Sequence, residues 1–237
     1  MKIAQSLLDA MTVSIATHQP LPSMPKNLTL TEAYSVQQQL SKQRNGSKVS
    51  GLKAGLSGAA VQKRFGLTEG VIGSLYHDGV LDSGCIIEAV DGLVFECEIG
   101  VVVDASGQPI FVMPVVEIAY LKYSDTDDLN AANIIAANVG ADRYICGERH
   151  HWRTSLAGTG ICTRHDGAIV LESTIDESLG GVFSGTTWMV QQALQRGFEI
   201  KDGMLLILGT CGAPVAVAPG QVTADYGVLG SVDFTVS

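Results

Sequence analysis

Charged side chains are scarce in this 237-residue chain: they make up only 16% of it, against 46% hydrophobic residues. A chain with so little charge does not have the composition of a disordered protein, and its length suffices for one large folded domain with a real core. Basic residues are the scarcer sign, 15 against 24 acidic ones, which gives a formal net charge of −9. Because an acidic surface repels phosphate backbones, we expect no nucleic-acid partner.

Paired cysteines and long apolar runs are missing as well. The five cysteines include no C-x-x-C pair, and an odd count argues against a disulfide framework or a structural zinc site. No apolar run reaches the roughly 18 residues that identify a membrane-spanning helix. Polar residues also interrupt the N-terminal stretch, which therefore lacks the pattern of a signal peptide. These absences predict a reducing, cytoplasmic location and no membrane partner.

The N-terminal part carries the periodicity of helices. Apolar residues at helical spacing predict an amphipathic helix over 3–17. A second helix is predicted over 29–45, with Thr29 or Thr31 as its cap and Asn45-Gly46 at its end. We expect residues 1–48 to form a helical arm.

From residue 49 the pattern becomes β-rich. Short strand-like runs, separated by glycine-containing turns, continue to the C-terminus over 49–237, and two helical stretches interrupt them at 126–139 and 184–196. Strands outnumber helices and do not alternate with them regularly. The pattern therefore predicts an α+β fold with a β-rich domain rather than a doubly wound α/β sheet.

Acidic residues inside apolar strands are the most informative feature. In the run 93–103, the alternation of side chains along a strand places Glu96 and Glu98 on one face and apolar residues on the other. The run 111–120 carries a single acidic residue, Glu117. Carboxylates among apolar neighbours lose hydration, which costs several kcal/mol for an unpaired buried charge. Something positive should therefore lie between them.

These residues alone leave two interpretations open. If the two strands are neighbours, three carboxylates converge, and hard oxygen donors of this kind suit Mg²⁺ or Mn²⁺. Zinc is disfavoured because no matching histidine or cysteine cluster accompanies them. Otherwise the E-x-E pair lies on a solvated face, and Glu117 is the buried partner of an arginine or lysine.

A lone lysine, Lys53, lies in the glycine-rich segment 50–58. Glycines let a backbone approach a ligand closely, and a poorly solvated lysine can hold a carboxylate or transfer a proton at lowered pKa. The alternative is a surface lysine in a flexible turn. The spacing is not that of a phosphate-binding P-loop.

Five short motifs follow one another in a recognisable order: Gly51-Leu52-Lys53-Ala54-Gly55-Leu56-Ser57, Gly73-Ser74-Leu75-Tyr76-His77-Asp78, Glu96-Cys97-Glu98-Ile99, Glu117-Ile118 and Leu229-Gly230-Ser231-Val232. Together they resemble the 2-keto-4-pentenoate (vinylpyruvate) hydratase family of the fumarylacetoacetate hydrolase superfamily. The resemblance extends from Gly51 to the C-terminus. Each motif is weak alone, and the five in order are specific for the superfamily.

The resemblance implies a β-rich sandwich-like roll and a homo-oligomer. It implies that Glu96, Glu98 and Glu117 bind Mg²⁺ or Mn²⁺, and that a small 2-oxo acid chelates this metal. Lys53 and Asp78 would take part in proton transfer, and the neighbouring Gly55 and Leu56 would contact the substrate. The implied reaction is the addition of water to a short 2-hydroxy-dienoate or 2-oxo-enoate, as in the catabolism of aromatic compounds.

Other functions remain open beside the hydratase. A decarboxylase of the 4-oxalocrotonate type uses the same metal-stabilised enolate, an acylpyruvate hydrolase is a third candidate, and a degenerate member without activity is a fourth. The sequence departs from the related hydratases around the substrate pocket but not at the metal ligands. The departures are Gly180-Gly181-Val182 for Gly-His-Pro, Asn133 and Ala137 for aspartates, and Lys122 for arginine.

Overall fold

The computed structural model describes residues 3–44, 48–153 and 156–237. The helices in these ranges are α1 (Gln5–Ala16), α2 (Leu30–Gln43), α3 (Ala59–Phe65), α4 (Ala131–Ala136) and α5 (Val182–Gln195). The strands are β1 (Val49–Gly55), β2 (Val71–Tyr76), β3 (Val80–Asp82), β4 (Cys85–Ile87), β5 (Leu93–Val103), β6 (Pro109–Tyr120), β7 (Ala141–Cys146), β8 (His150–His151), β9 (Gly160–His165), β10 (Ala168–Thr174), β11 (Met204–Ile207), β12 (Val215–Ala216), β13 (Gly220–Asp225) and β14 (Ser231–Val236).

Within the described residues the strands form two sheets. The nine-stranded sheet has the order β2-β1-β11-β5-β6-β7-β3, with β12 beside β5 and β8 beside β6; the five-stranded sheet has the order β10-β9-β13-β14-β4. Most pairs are antiparallel, while β1–β11, β3–β7 and β4–β14 are parallel. The main core includes buried side chains from both sheets, and the rings of Phe95 and Phe234 meet edge to face at 5.5 Å. The predicted β-rich α+β fold is confirmed.

The helical arm shares a second core with α4. Leu8 and Met11 of α1 and Val36 of α2 belong to one apolar cluster with Ile135 of α4. The buried amide of Gln37 connects α2 to both β2 and α4, because its Nε2 donates to the carbonyl oxygens of Ile72 and Ile135, both at 3.0 Å. The arm therefore packs into the β-rich part, and the division at residue 48 stays a prediction.

The helix predictions meet different outcomes. The helix predicted over 3–17 is present as α1, and α2 begins after Thr29; the predicted end of α2, Asn45-Gly46, lies outside the described residues. The helix predicted over 126–139 is confirmed only in part, since α4 spans Ala131–Ala136 and 3₁₀ turns flank it at Thr126–Asp128 and Asn138–Gly140. The chain leaves the helix because Asn138 and Val139 adopt left-handed backbone angles, with φ of 55° and 58°.

Strand β2 was not predicted from the sequence. All six of its residues are buried, so it lacks the alternation that identifies a strand with one solvated face. This matters for function because β2 pairs with β1 and places Gly73 opposite Lys53. None of the described helices combines the length and the apolar character needed to cross a bilayer.

The cap of α2 tests the fold directly. The Thr29 side chain accepts a hydrogen bond from the Glu32 N–H at 3.2 Å, and Glu32 in turn accepts from the Thr29 N–H at 3.0 Å. We expect Thr29→Ala to lower the free energy of unfolding by about 1 kcal/mol, measured by chemical denaturation. Thr31→Ala, one residue inside the helix, is the control and should not destabilise. Equal losses in both variants would contradict the assigned cap.

Candidate metal centre and active site

Three glutamates converge because of the register between β5 and β6. Glu96 and Glu117 face each other across this antiparallel pair, and Glu98 lies two residues further along the same face of β5. The opposite face of β5 lies in the main core. Each glutamate offers an oxygen that lies within 4.8 Å of the others, so the three can hold one metal ion. The structure thus brings the three predicted ligands together.

Two of the buried carboxylate oxygens lack hydrogen-bond partners among the described residues. Glu98 and Glu117 are fully buried, at 0% exposure. Glu98 Oε2 accepts a hydrogen bond from the Gly209 N–H at 2.8 Å, whereas Glu98 Oε1 and Glu117 Oε2 have no hydrogen-bond partner among the described residues. Buried polar atoms are rarely left unpaired in folded proteins. Hard oxygen donors in this state fit Mg²⁺ or Mn²⁺.

Among the described residues, Lys53 supplies the positive charge next to the three glutamates. Strand β1 buries its side chain, and its Nζ lies 2.9 Å from Glu117 Oε1. The sequence left open whether Glu117 is a metal ligand or the partner of a buried cation, and the geometry combines both features. Three carboxylates and one ammonium, when all are ionised, leave an excess of two negative charges, which a divalent cation would balance.

Burial governs the protonation of this group. Burial first, and then repulsion from the neighbouring Glu117, raise the pKa of Glu96 to about 7 against the opposing attraction of Lys53. Burial, followed by repulsion from Glu117 and Glu96, holds the pKa of Glu98 well above its usual range. For Lys53, burial alone lowers the pKa, but the attraction of the three carboxylates outweighs it and the net pKa is raised. Lys53 is therefore an ammonium at neutral pH.

A cavity of about 210 Å³, called the metal cavity below, opens beside the glutamates. Glu96 and Lys53 line it, together with Gly55 and Leu56, the two residues predicted to contact substrate. A Cβ at position 55 would overlap the side chain of Val139 and would lie 3.7 Å from Lys53 Nζ, so only glycine fits between these two residues. The remaining lining residues are mostly apolar: Ala54, Ser57, Gly92, Val94, Ala119, Leu121, Ile134, Val139, Gly140 and Thr210.

A turn that the sequence did not reveal forms one wall of this cavity. Val139 lines the cavity with a φ of 58°, a conformation that is costly for a β-branched residue. The turn is held by Asn138, whose side chain accepts from the Ser74 N–H at 2.8 Å and donates to the Ser74 carbonyl at 2.9 Å. The sequence pattern instead places Asn138 and Val139 at the end of the helix predicted over 126–139.

A second unpredicted residue, Tyr226, supports the glutamates from the core. It is fully buried, and its hydroxyl accepts from the Glu98 N–H at 3.1 Å while donating to the Val115 carbonyl at 2.7 Å. Glu98 and Val115 are cross-strand partners in the β5–β6 pair. The hydroxyl therefore links the two ligand-bearing strands at the level of Glu98. No local sequence signal distinguishes this tyrosine from an ordinary core residue.

Asp78, which was predicted to carry protons beside Lys53, lies elsewhere. It follows β2 five residues beyond Gly73, the cross-strand partner of Lys53, and it pairs with Arg44 at 3.2 Å. It lines a different cavity from the one that contains Lys53 and Glu96. The structure does not bring it to the glutamates, and its predicted role stays a prediction. Lys122 likewise pairs with Asp91 at 2.6 Å rather than lining the metal cavity.

Comparison with known proteins relates the chain to two kinds of enzyme. It is 29% identical over 227 residues to a 4-oxalocrotonate decarboxylase of Pseudomonas putida, covering 86% of this chain and 84% of that protein. It is 27% identical over 238 residues to a 2-keto-4-pentenoate hydratase of Paraburkholderia xenovorans, covering 92% and 87%. No protein-family profile matches the chain. The resemblance stated from the motifs is confirmed: both kinds of enzyme are homologous to this chain over most of its length.

Solved structures show the same fold. The 4-oxalocrotonate decarboxylase of Pseudomonas putida G7, complexed with magnesium and adipate, superposes with a TM-score of 0.86 at 23% identity, over 100% of this chain and 99% of that one. More distant structures of the fumarylacetoacetate hydrolase type also match. This likeness confirms the predicted fold.

Tyr226 gives a test of how the ligands are held. Tyr226→Phe removes two buried hydrogen bonds, one from the Glu98 N–H and one to the Val115 carbonyl, each worth about 1 kcal/mol. We expect the Mg²⁺ dissociation constant to rise about fivefold to tenfold, measured by isothermal titration calorimetry. Tyr34→Phe is the control, because the hydroxyl of this buried tyrosine also accepts a backbone N–H, that of Ile72 at 3.1 Å, but in the core of the helical arm. Equal Mg²⁺ affinity in the two variants would contradict the role of Tyr226.

Proton competition gives a second test. The folded state raises the pKa of Glu96 to about 7, so its protonated form stabilises the metal-free protein at low pH, and this contribution is lost as pH rises through 7. Mg²⁺ requires the ionised carboxylates, and with a pKa of about 7 the ionised fraction of Glu96 falls from about one half at pH 7 to about one eleventh at pH 6. The apparent Mg²⁺ affinity should therefore fall at least about fivefold, or about 1 kcal/mol, over this interval. We therefore expect a larger increase in melting temperature with Mg²⁺ at pH 8 than at pH 6. Glu98→Gln should remove most of the Mg²⁺ effect at both values. A Mg²⁺ effect that is independent of pH would count against the site.

Proposed function

We propose that this homologue of the 2-keto-4-pentenoate hydratases and 4-oxalocrotonate decarboxylases is a divalent-metal-dependent hydratase. Its substrate would be a short 2-hydroxy-dienoate or 2-oxo-enoate with one carboxylate. The observation that carries the proposal is the composition of the metal centre and the cavity beside it: a three-carboxylate group of which Glu96 lines the cavity, the ammonium of Lys53 and, among the described residues, an otherwise uncharged and mostly apolar lining. This arrangement matches a substrate with one chelating end and a hydrocarbon body.

The residues divide into separate roles. Mg²⁺ or Mn²⁺ held by Glu96, Glu98 and Glu117 would act as a Lewis acid that stabilises enolate charge on a 2-oxo acid. Lys53 lines the cavity beside Glu96, so its Nζ would donate a hydrogen bond to the substrate or take part in proton transfer.

The rest of the lining positions the substrate and the water. Leu56 and Val139 surround its hydrocarbon part and exclude bulk solvent. The hydroxyls of Ser57 and Thr210 are the uncharged polar groups of the lining, and they can position the water that adds.

The charge of the lining favours the monocarboxylate. A dicarboxylate such as 4-oxalocrotonate presents a second anionic end, which would need a cation or several hydrogen-bond donors when buried. Among the described residues that line the cavity, Lys53 is the only cation, and it is already paired with Glu117. The far end of the substrate would instead meet the apolar part of the cavity lining.

Decarboxylation is the second candidate. It is supported by the 29% identity to a 4-oxalocrotonate decarboxylase and by the shared fold of the enzyme solved with magnesium and adipate. The same enolate-stabilising centre serves both reactions, because loss of CO₂ and addition of water both pass through charge on the 2-oxo end. The residues at the end of the cavity far from the glutamates therefore decide whether hydration or decarboxylation occurs.

Product analysis distinguishes the candidates. We expect the protein with Mg²⁺ to convert 2-hydroxypenta-2,4-dienoate to a hydroxy-oxo acid, identified by mass spectrometry, and to release no CO₂ from 4-oxalocrotonate. CO₂ release without hydration would replace the proposal with the decarboxylase. Hydrolysis of an acylpyruvate would replace it with the hydrolase, and no turnover of any of the three would favour a catalytically degenerate binding protein. The homo-oligomer stays a prediction that analytical ultracentrifugation tests.

Substitution of Lys53 tests its role. We expect Lys53→Met, which keeps the length of the side chain but removes its charge, to lower kcat by about 10²-fold to 10⁴-fold. Circular dichroism with Mg²⁺ present checks the fold, because removal of one partner of a buried pair destabilises the metal-free protein. Lys63→Met, on the surface helix α3, is the control.

Asp78→Asn tests the other predicted proton carrier. We expect it to retain most of the turnover, because Asp78 does not line the metal cavity. A loss as large as that of Lys53→Met would instead support the role that the motif predicted for Asp78.

A further inference from the structure

A second cavity, of about 420 Å³, lies between the helical arm and the nine-stranded sheet. Its walls come from α1, the C-terminal end of α2, the segment after β2, and β7. It shares no lining residue with the metal cavity among the described residues. The turn at Asn138 separates the two, since Asn138 lines this cavity while Val139 and Gly140 line the other. Its volume is at the lower end of the range for small-molecule sites.

Two arginines line this cavity in fixed positions. Arg44 lies 4.3 Å above the ring of Tyr76, and its Nη2 donates to Asp78 Oδ1 at 3.2 Å. Arg143 is held through its Nε, which donates to Asp142 Oδ2 at 2.9 Å. Each aspartate thus accepts a hydrogen bond from one nitrogen of its arginine and leaves the other nitrogens of the guanidinium group available.

Donors remain on both arginines. Neither Nη of Arg143 donates to any residue in the described part of the chain, and the same holds for Nε and Nη1 of Arg44. His18 also contacts Asp142, at 3.0 Å, and so helps to hold the Arg143 side. Oriented guanidinium donors of this kind suit a carboxylate, which they can bind in a bidentate manner at little entropic cost.

The rest of the lining defines the ligand further. Ile15, Leu40 and Ala141 supply apolar surface beside the arginines, which suits a short hydrocarbon body. Asp78 and Asp142 also line the cavity, and they would repel a dianion such as phosphate more strongly than a singly charged carboxylate. We infer that this cavity is a second ligand site, separate from the metal centre, for a small monocarboxylate with an apolar chain.

Pentanoate is a suitable probe, because it has the carboxylate and the chain but no 2-oxo group with which to chelate a metal. Binding to the full chain is measured by isothermal titration calorimetry in the presence of EDTA. We expect saturable binding that is unchanged in Glu98→Gln and is not displaced by equimolar phosphate. Arg44→Gln and Arg143→Gln should each weaken it about tenfold or more. Arg164→Gln, an exposed arginine on β9, is the control and should have no effect.

A third variant guards against loss of folding in the arginine variants. Ala16→Phe adds a ring at an exposed position that lines the cavity and removes no polar contact, so it should block pentanoate while leaving the circular dichroism spectrum unchanged. Absence of saturable binding to the wild-type chain would overturn the inference. So would binding that Glu98→Gln abolishes, that both arginine variants and Ala16→Phe leave intact, or that phosphate displaces equally well. None of these results depends on whether the chain is a hydratase.

Discussion

The excess of buried negative charge at the β5–β6 pair is the constraint on which the rest of the site depends. Glu117 pairs with Lys53 at 2.9 Å, yet Glu96 and Glu98 lie beside this pair, and within the described residues Glu98 Oε1 and Glu117 Oε2 have no hydrogen-bond partner. A fold bears the cost of burying like charges only where something offsets it, and a divalent cation is the partner that fits the donors. The strand register, the Gly209 N–H and the buried lysine all serve to hold this charge in place.

The two faces of β5 have different roles: one packs in the core, and the other carries two of the proposed metal ligands. One face packs Phe95 into the core between the sheets, so the strand cannot shift without disrupting that core. Because side chains alternate, this packing also places Glu96 and Glu98 on the opposite face of the strand, beside Glu117. Tyr226 connects the two functions, since it is buried in the core and its hydroxyl reaches the backbone of Glu98. A rigid apolar support of this kind keeps metal ligands in position without contacting the metal.

Charge also distinguishes the two cavities. The metal cavity combines anionic ligands with an apolar wall and a single ammonium, which suits the chelating end of a 2-oxo acid. The cavity beneath the helical arm has arginines whose aspartate partners leave donors available, which suits a carboxylate without a metal. The turn 138–140 lies between them and includes Val139 in a strained conformation. Strain of this kind is retained where the surrounding contacts, here the Asn138–Ser74 pair, enforce it.

The sequence by itself determined the chemistry of the site: glutamates inside apolar strands must be offset by positive charge, and the alternation along β5 decided which of them share a face. It also predicted α1 and the threonine-capped α2, because periodicity and capping are local properties. It could not determine that Glu117 contacts both the lysine and the carboxylate group, since this depends on the pairing of distant strands. Only the family resemblance placed Asp78 with Lys53, whereas in the structure Asp78 lies beyond the end of β2 and pairs with Arg44. Tyr226 and the turn at Val139 were also decided by the tertiary structure alone, because a buried hydroxyl contact and an enforced left-handed backbone leave no periodic trace in the sequence.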